Sequence, residues 1–451
     1  MHVLADTFDT VIANGTAVTP SGTALADIGV IGGRIARIAA PGTLSGGRTV
    51  DARGLHVLPG VIDTQVHFRE PGGEHKEDLA TGAAAAAMGG VTGVFEMPNT
   101  NPSTDNVAAL QDKLDRAAGR MWVEHAFYVG ATDRNLDMLG ALELELGSAG
   151  VKIFMGSSTG GLLLEDDANL LKALRNGKRR VAVHAEDEPR LRERKRIAEE
   201  TGHPRAHPIW RDEITALRAT ERLIAAARAT GRRVHVLHIT TGDEMRYLAA
   251  HKDIATVETT PNHLTLAAPD CYERLGTKAQ MNPPVRDLAH QQAIWQAINE
   301  GVVDILGSDH APHTLEEKAK TYPATPSGMP GVQTLVPVML THVNDGKLTL
   351  ERFVDLVSHG PNRAFGIAGK GRIAVGYDAD FTVVDMAANW EITDDWIESR
   401  CGWTPYAGFK ASARPIATII RGQDVMRDGA LIGKPEGKPM RFHETTRGEG
   451  V

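Results

Sequence analysis

Side chains that bind metals or anions stand at the ends of apolar runs in this chain. The first run, Val57 to Ile62, leads into Asp63, Gln65 and His67 at every second position, with Arg69 just beyond. A strand places alternate side chains on one face, so Gln65 and His67 point the same way. A polar residue and a histidine at a strand end, with an arginine beside them, make the start of a metal site with an anion clamp. The pattern recurs downstream. Asn99 follows the run 91–97, Lys152 lies in 151–155, His184 in 180–185 and His238 in 233–239; Asp309, His310 and His313 follow 302–307. A single histidine is more often a satisfied core or surface residue than a ligand. One metal-type residue at each of several run ends is harder to attribute to chance, because imidazole and carboxylate are standard zinc ligands. Lys152 needs separate chemistry. A protonated lysine usually snorkels from a strand and would repel a cation. Reaction with CO2 would turn its amine into an anionic carbamate with two oxygens, able to bridge two cations.

The elements that must carry these residues follow from the periodicity. Residues 2–57 read as short strands, Thr10–Ala13, Ile28–Ile31 and Arg34–Ile38, with hairpin-type turns at Asn14-Gly15 and Gly32-Gly33. From Leu58 the pattern becomes strand, loop, helix. Predicted helices cover 78–88, 105–118, 134–146, 165–175 and 211–230, and the apolar runs between them are the predicted strands, with further strands at 255–260 and 302–307. Strands that alternate with helices form parallel sheets, since each parallel crossover needs a connection of that length. About eight such units predict an α/β fold, a (β/α)8 TIM-type barrel over 58–370, whose chemistry sits at the C-terminal strand ends. The Pro-, Gly- and Ser-rich stretch from Thr314 to Pro330 is long enough for an active-site flap. Helices 332–344 and 350–356 follow, then strands at 371–375, 380–384 and 416–421. The two strand-rich ends, 1–57 and 371–434, are expected to pair as one small discontinuous β-sandwich domain. Residues 435–451 read as a polar, poorly ordered tail.

Composition narrows the class. The chain has 451 residues, 42% hydrophobic and 24% charged, as in ordinary globular enzymes. A net charge of −8 and a pI near 6.1 argue against a nucleic-acid partner. No apolar run approaches the length of a membrane span, and the N-terminus lacks a signal-peptide pattern, so no membrane partner is expected. Two cysteines, Cys271 and Cys401, do not make a disulfide framework, which points to a reducing cytoplasm.

Seven motifs carry a resemblance along nearly the whole chain: PGVIDTQVHFREPG at 59–72, EMPNTNP at 96–102, VKIFMGSS at 151–158, HAED at 184–187, HVLHIT at 235–240, MNPPVR at 281–286 and GSDHAPH at 307–313. The sequence resembles the dihydroorotases of the cyclic amidohydrolase family. The resemblance implies a metal-dependent barrel with one or two Zn2+ per subunit and CO2 held as a carbamate on Lys152. It implies His67, Lys152 and Asp309 at one metal, and Lys152, His184 and His238 at the other. It implies Asp309 as the catalytic acid and base, and Arg69, Asn99, Asn282 and His313 around the substrate and its carboxylate. The implied reaction is the reversible closure of N-carbamoyl-L-aspartate to L-dihydroorotate in pyrimidine biosynthesis, through a metal-activated hydroxide. A homodimer or larger homo-oligomer, and an aspartate carbamoyltransferase partner, belong to the same expectation. One position departs from the family pattern: His-x-His on the first strand is here Gln65-Val66-His67. A carboxamide oxygen is a weaker zinc ligand than imidazole, so Gln65 is the weakest member of the set.

Two other readings compete. A hydantoinase- or allantoinase-like hydrolase would share the metal ligands, but a neutral hydantoin has no carboxylate for Arg69. A non-catalytic relative acting as a scaffold for aspartate carbamoyltransferase would show lost ligands, as Gln65 does, yet Lys152, His184, His238 and Asp309 are all present.

Overall fold

The computed structural model describes residues 7–156 and 161–445. Ser157 and Ser158 of the VKIFMGSS motif, and 446–451 of the tail, lie outside the described residues. Five strands come first: β1 (Phe8–Thr19), β2 (Gly22–Ile31), β3 (Arg34–Ala39), β4 (Gly46–Asp51) and β5 (His56–Pro59). Gly32 and Gly33, with φ of 58° and 77°, make the tight turn expected between β2 and β3. Asn14-Gly15 is not a turn. It is a bulge inside β1, where Asn14 has φ 60° and the register with β2 shifts between Ile12 and Gly15. A turn and a bulge both call for a residue tolerant of the left-handed region. Here the strand continues past the bulge because Ala17 and Val18 are buried again.

Eight parallel strands follow in a single hydrogen-bonded order: β6 (Val61–Val66), β7 (Val91–Glu96), β8 (Glu124–Gly130), β9 (Ser148–Phe154), β10 (Val181–His184), β11 (Val234–Val236), β12 (Ala255–Thr259) and β13 (Ile305–Leu306). The barrel closes where Val66 bridges His310 in parallel and the His67 amide donates to the His310 carbonyl at 2.7 Å. This is the (β/α)8 architecture that the alternation predicts. The first helix, Leu79–Met88, starts at a capping box between Asp78 and Thr81 and buries Ala83 to Ala87. Its small side chains let it lie flat between the barrel and the terminal sheet. The predicted helix 134–146 shrinks to Leu139–Leu142. Asn135 is the reason: its Oδ1 accepts from Thr132 N, and its Nδ2 donates to the carbonyls of Asp105 and Gly130, which holds a turn in place of a helix start.

The chain ends with β14 (Phe381–Asp385), β15 (Trp390–Glu391), β16 (Lys410–Ala411), β17 (Arg414–Ile420), β18 (Gln423–Arg427) and β19 (Ala430–Leu431). β14, β17, β18 and β19 join β1–β5 in one nine-stranded sheet, while β15 and β16 pair separately. The expected strand at 371–375 does not form, because Gly371 at its start and Gly376 just past its end have φ of 79° and 90°. The sheet folds over its own core. Arg48 of β4 donates to the Gly422 carbonyl, Ala379 N donates to Gly33 O, and Ile12, Ile28, Val57, Phe381 and Ile419 gather in one cluster. The expected polar tail is corrected over its described part. Residues 437–443 strap the lower end of the barrel through Gly437 N to Met121 O and Met440 N to His125 O. Met440 and Phe442 are buried there with Phe95 and Phe365, because the short side chains facing inward at that end leave room to fill.

Candidate active site

The candidate side chains gather at the C-terminal end of the barrel, all but Asn282 at or just past a strand end; Asn282 comes from the long connection after β12. His67 and Arg69 follow β6, Asn99 follows β7, Lys152 lies near the end of β9, His184 closes β10, His238 follows β11 and Asp309 follows β13. Gln65, His67, Arg69, Asn99, Lys152, His184, His238, Asn282 and Asp309 line one cavity of about 90 Å³. His313 does not line it. That residue sits with Arg69 and Asn99 in a wider vestibule of about 1300 Å³ that opens to solvent. Of the six described non-glycine residues in the left-handed region, three are Arg69 (φ 63°), His238 (φ 38°) and Asp309 (φ 48°). Such backbone costs free energy at each position and is held by its surroundings. Asp63 supplies part of that hold: its carboxyl accepts from the amides of Ser308 and Gln65. Burial pushes the Asp63 carboxyl up to about 7.

The hydrogen bonds decide which ring nitrogens are bare. His184 Nε2 donates to Glu186 at 2.8 Å, so Nδ1 of the neutral ring presents a lone pair. Burial alone would raise the Glu186 carboxyl, but the Arg211 charge beside it holds it down to about 2, a stable acceptor. His184 Nδ1 faces His238 Nε2 at 3.0 Å, while His238 Nδ1 is buried with no partner among the described residues. Burial keeps both rings neutral by lowering their pKa. On the opposite side, His67 Nδ1 donates to Asn99 Oδ1 at 2.8 Å, and its Nε2 faces Asp309 Oδ1 at 3.2 Å. Ligand atoms in a tetrahedral zinc site with bonds of about 2.0–2.1 Å lie roughly 3.3 Å apart, close to both spacings. Gln65 donates from Nε2 to Asp309 Oδ1 at 3.0 Å, and its Oε1 is buried with no partner among the described residues.

Among the described residues, no three His, Cys, Asp or Glu side chains close into a ready metal cage. The site is two pairs, His67 with Asp309 and His184 with His238, and Lys152 lines the same cavity. A group from Lys152 would complete either pair. Its Nζ lies 4.5 Å over the Phe154 ring, and burial lowers the ammonium to about 7, where the neutral amine able to react with CO2 is well populated. The Gln65 Oε1 left without a partner among the described residues, the closely facing atoms of the two pairs and the reactive amine fit a divalent cation with a lysine carbamate.

Arg69 sits at the mouth. Its Nε donates to the Pro312 carbonyl, and Nη2 lies 3.3 Å from His313 Nε2. His313 Nε2 also contacts Ser327 O at 3.1 Å, which ties the vestibule to the predicted flap. That flap contains a helical turn, Leu315–Lys318. Lys318 is fully buried, and its Nζ donates to the carbonyls of Gln280, Pro326 and Gly328, so Ser327 and Gly328 are held as a wall of the inner cavity. Sequence reasoning passed over Glu186, although it lies in the quoted HAED motif two residues from His184. It named Asp63 without giving it a role, and it passed over Arg211, His207 and Lys318, whose contacts join distant segments.

Known proteins resemble this chain in both sequence and fold. Residues 56–425 match the model of the amidohydrolase family. A dihydroorotase from Halobacterium salinarum is 37% identical over 410 residues, covering 90% of this chain and 94% of that protein. An allantoinase from Deinococcus radiodurans is 35% identical over 449 residues, covering 96% and 98%. The solved L-hydantoinase of Arthrobacter aurescens superposes with a TM-score of 0.92 at 28% identity, covering 96% of this chain and all of that one.

Proposed function

The chain belongs to the amidohydrolase family of enzymes, and we propose that within it the protein is a dihydroorotase, interconverting N-carbamoyl-L-aspartate and L-dihydroorotate. The observation that carries this reading is Arg69: a guanidinium at the mouth of a cavity whose inner end fits a cation. A planar guanidinium binds a carboxylate through two parallel hydrogen bonds. The substrate carboxylate would meet Arg69 with the Asn99 amino group beside it, and His313 would join after turning from Ser327 O. Relatives identified as dihydroorotases support the reading over most of the chain.

His67, Asp309, Gln65, Lys152 as its carbamate, His184 and His238 are the residues that would hold Zn2+, one or two per subunit. When bound, the cation would supply Lewis-acid polarisation of the scissile amide and a water acidic enough to attack at neutral pH. Asp309, aimed by Gln65 and braced by the Asp63–Ser308 contact, accepts the proton of the attacking water and passes it to the departing ring nitrogen. Glu186 and Arg211 keep His184 in one tautomer and orientation. The Ser327–Gly328 wall limits water around the reacting bond.

The hydantoinase- or allantoinase-like alternative draws on the allantoinase relative and the hydantoinase fold, and Arg69 separates the two readings. Arg69→Ala removes one partner of a charge pair, a change that costs about 2–5 kcal/mol. Dihydroorotate hydrolysis is expected to fall by tens-fold or more, with turnover of an uncharged hydantoin little changed. Wild-type enzyme that prefers the hydantoin, or an equal loss on both substrates, would count against the assignment. Assembly into a homodimer or larger homo-oligomer, and docking of an aspartate carbamoyltransferase, extend the same reading, and sedimentation of the mixture checks them. No described helix is long and apolar enough to cross a membrane.

A further inference from the structure

The segment from His203 to Arg211 braces the site at two points. Arg211 acts on Glu186, behind His184. His207, which is buried, acts on Asn282. Its Nε2 lies 3.0 Å from the Met281 carbonyl and 2.9 Å from Asn282 Oδ1, and its Nδ1 lies 3.3 Å from the Tyr322 hydroxyl. A carbonyl only accepts, so Nε2 must carry the proton. Burial lowers this imidazole to about 3, so the ring is neutral and Nδ1 accepts from Tyr322. The edge of Asn282 turned to His207 is therefore its oxygen. Its amino group is left with no acceptor among the described residues, and Asn282 lines the inner cavity.

Asn99 is held in the same sense, with its oxygen taken by His67. With Arg69, the non-metal part of the cavity then offers donors. We propose that His207, fixed by Tyr322 from the flap, is a positioning residue that locks Asn282 with its amino group toward the substrate, so that Asn282 reads a ring carbonyl and rejects a ring N–H. A cyclic ureide alternates C=O and N–H around its ring. A carboxamide free to turn over would accept two registries of that ring; a locked one accepts a single registry. The inference rests on the cyclic-amide reading of the site, though not on dihydroorotate in particular.

Two variant pairs test it, assayed at pH 8 with dihydroorotate and with hydantoin. Asn282→Asp keeps the contact to His207 but turns a carboxylate oxygen toward the substrate oxygen, whereas Asn282→Ala removes both. The aspartate variant is expected to fall at least about tenfold below the alanine variant in kcat/KM, because an unpaired buried charge costs more than a missing contact. His207→Phe is expected to raise KM about ten- to thirtyfold with kcat changed less than about threefold, the signature of lost uniform binding. His207→Gln, which can still donate, recovers most of that loss. An aspartate variant equal to or better than alanine would overturn the proposal. So would a glutamine variant as impaired as phenylalanine, or a loss confined to kcat. Should His207→Phe fail to fold, the Asn282 ranking decides alone. Turnover of hydantoin but not dihydroorotate removes the substrate assignment and leaves this test standing on hydantoin; turnover of neither removes both.

Discussion

On the proposed reading Lys152 carries a requirement no other residue in the site shares: it must react with CO2 before it can hold a metal. Only the free amine attacks CO2. Burial lowers its pKa from the ordinary lysine value of 10.5 to about 7, so the amine population rises as pH increases through that value and levels off above it. Protein stripped of metal and CO2 is therefore expected to regain activity, with zinc added and dissolved CO2 held at one concentration, faster at pH 8 than at pH 6. A rate constant with no pH dependence across that window would count against the carbamate. Lys152→Ala should bind little metal by elemental analysis at any pH. Gln65 poses the second question at this scale. Its Nε2 is spent on Asp309 and its Oε1 is a buried orphan, so the His67–Asp309 pair gains at best a neutral oxygen. Neutral oxygens suit hard cations better than zinc. The His184–His238 pair is thus expected to fill first, and Gln65→His should raise zinc content at limiting metal. Two equally chelator-resistant zinc ions in the wild type would refute this ordering.

At the scale of elements, the loop 314–330 is the one whose form was least expected. Its length and glycines read as a flap that closes on substrate. The structure shows it clasped by a buried lysine, Lys318, that has no carboxylate partner among the described residues and donates to three carbonyls drawn from two segments. The Gln280 carbonyl keeps the Gly328 amide as a donor, but the Pro326 and Gly328 carbonyls have no other donor among the described residues, and an unsatisfied buried polar group costs about 1–3 kcal/mol. Lys318→Met is expected to speed proteolytic cutting within 314–330 by about tenfold and to weaken substrate binding through the Ser327–Gly328 wall. Cutting as slow as in the wild type would show that the loop is held by something else. Bound substrate should slow cutting of the wild type further if the loop also tightens on its ligand.

For the whole molecule, the lower end of the barrel depends on its last described residues. Met440 and Phe442 fill a space bounded by Phe95, Tyr128 and Phe365, and Arg179 lies over the Phe442 ring at 4.2 Å. Removing a buried phenyl ring costs about 3–5 kcal/mol through lost burial and the cavity left behind. Phe442→Ala is expected to shift the denaturation midpoint by that amount while kcat of the folded fraction stays near wild type, because the site lies at the opposite end. A large fall in kcat without a stability change would mean that the strap reaches the chemistry by another route.

Much of the site was legible before any fold was known, and the reason is local. Ligand type and position at a strand end are both written in a few consecutive residues, so Gln65, His67, Lys152, His184, His238 and Asp309 could be picked out, and the βα alternation required a barrel that brings such ends together. The parallel sheet, the capped alanine-rich helix and the Gly32-Gly33 turn follow from short-range patterns in the same way. Tertiary structure decided what depends on partners far along the chain. The bare nitrogens of His67 and His184 are set by Asn99 and Glu186; the turn of Asn282 is set by His207, from a segment with no readable motif. Asn14-Gly15 has the composition of a hairpin, and only renewed burial of β1 beyond it makes it a bulge. Polar residues around Met440 and Phe442 read as a loose tail, because no local pattern reports the empty base of a barrel that two apolar side chains must fill.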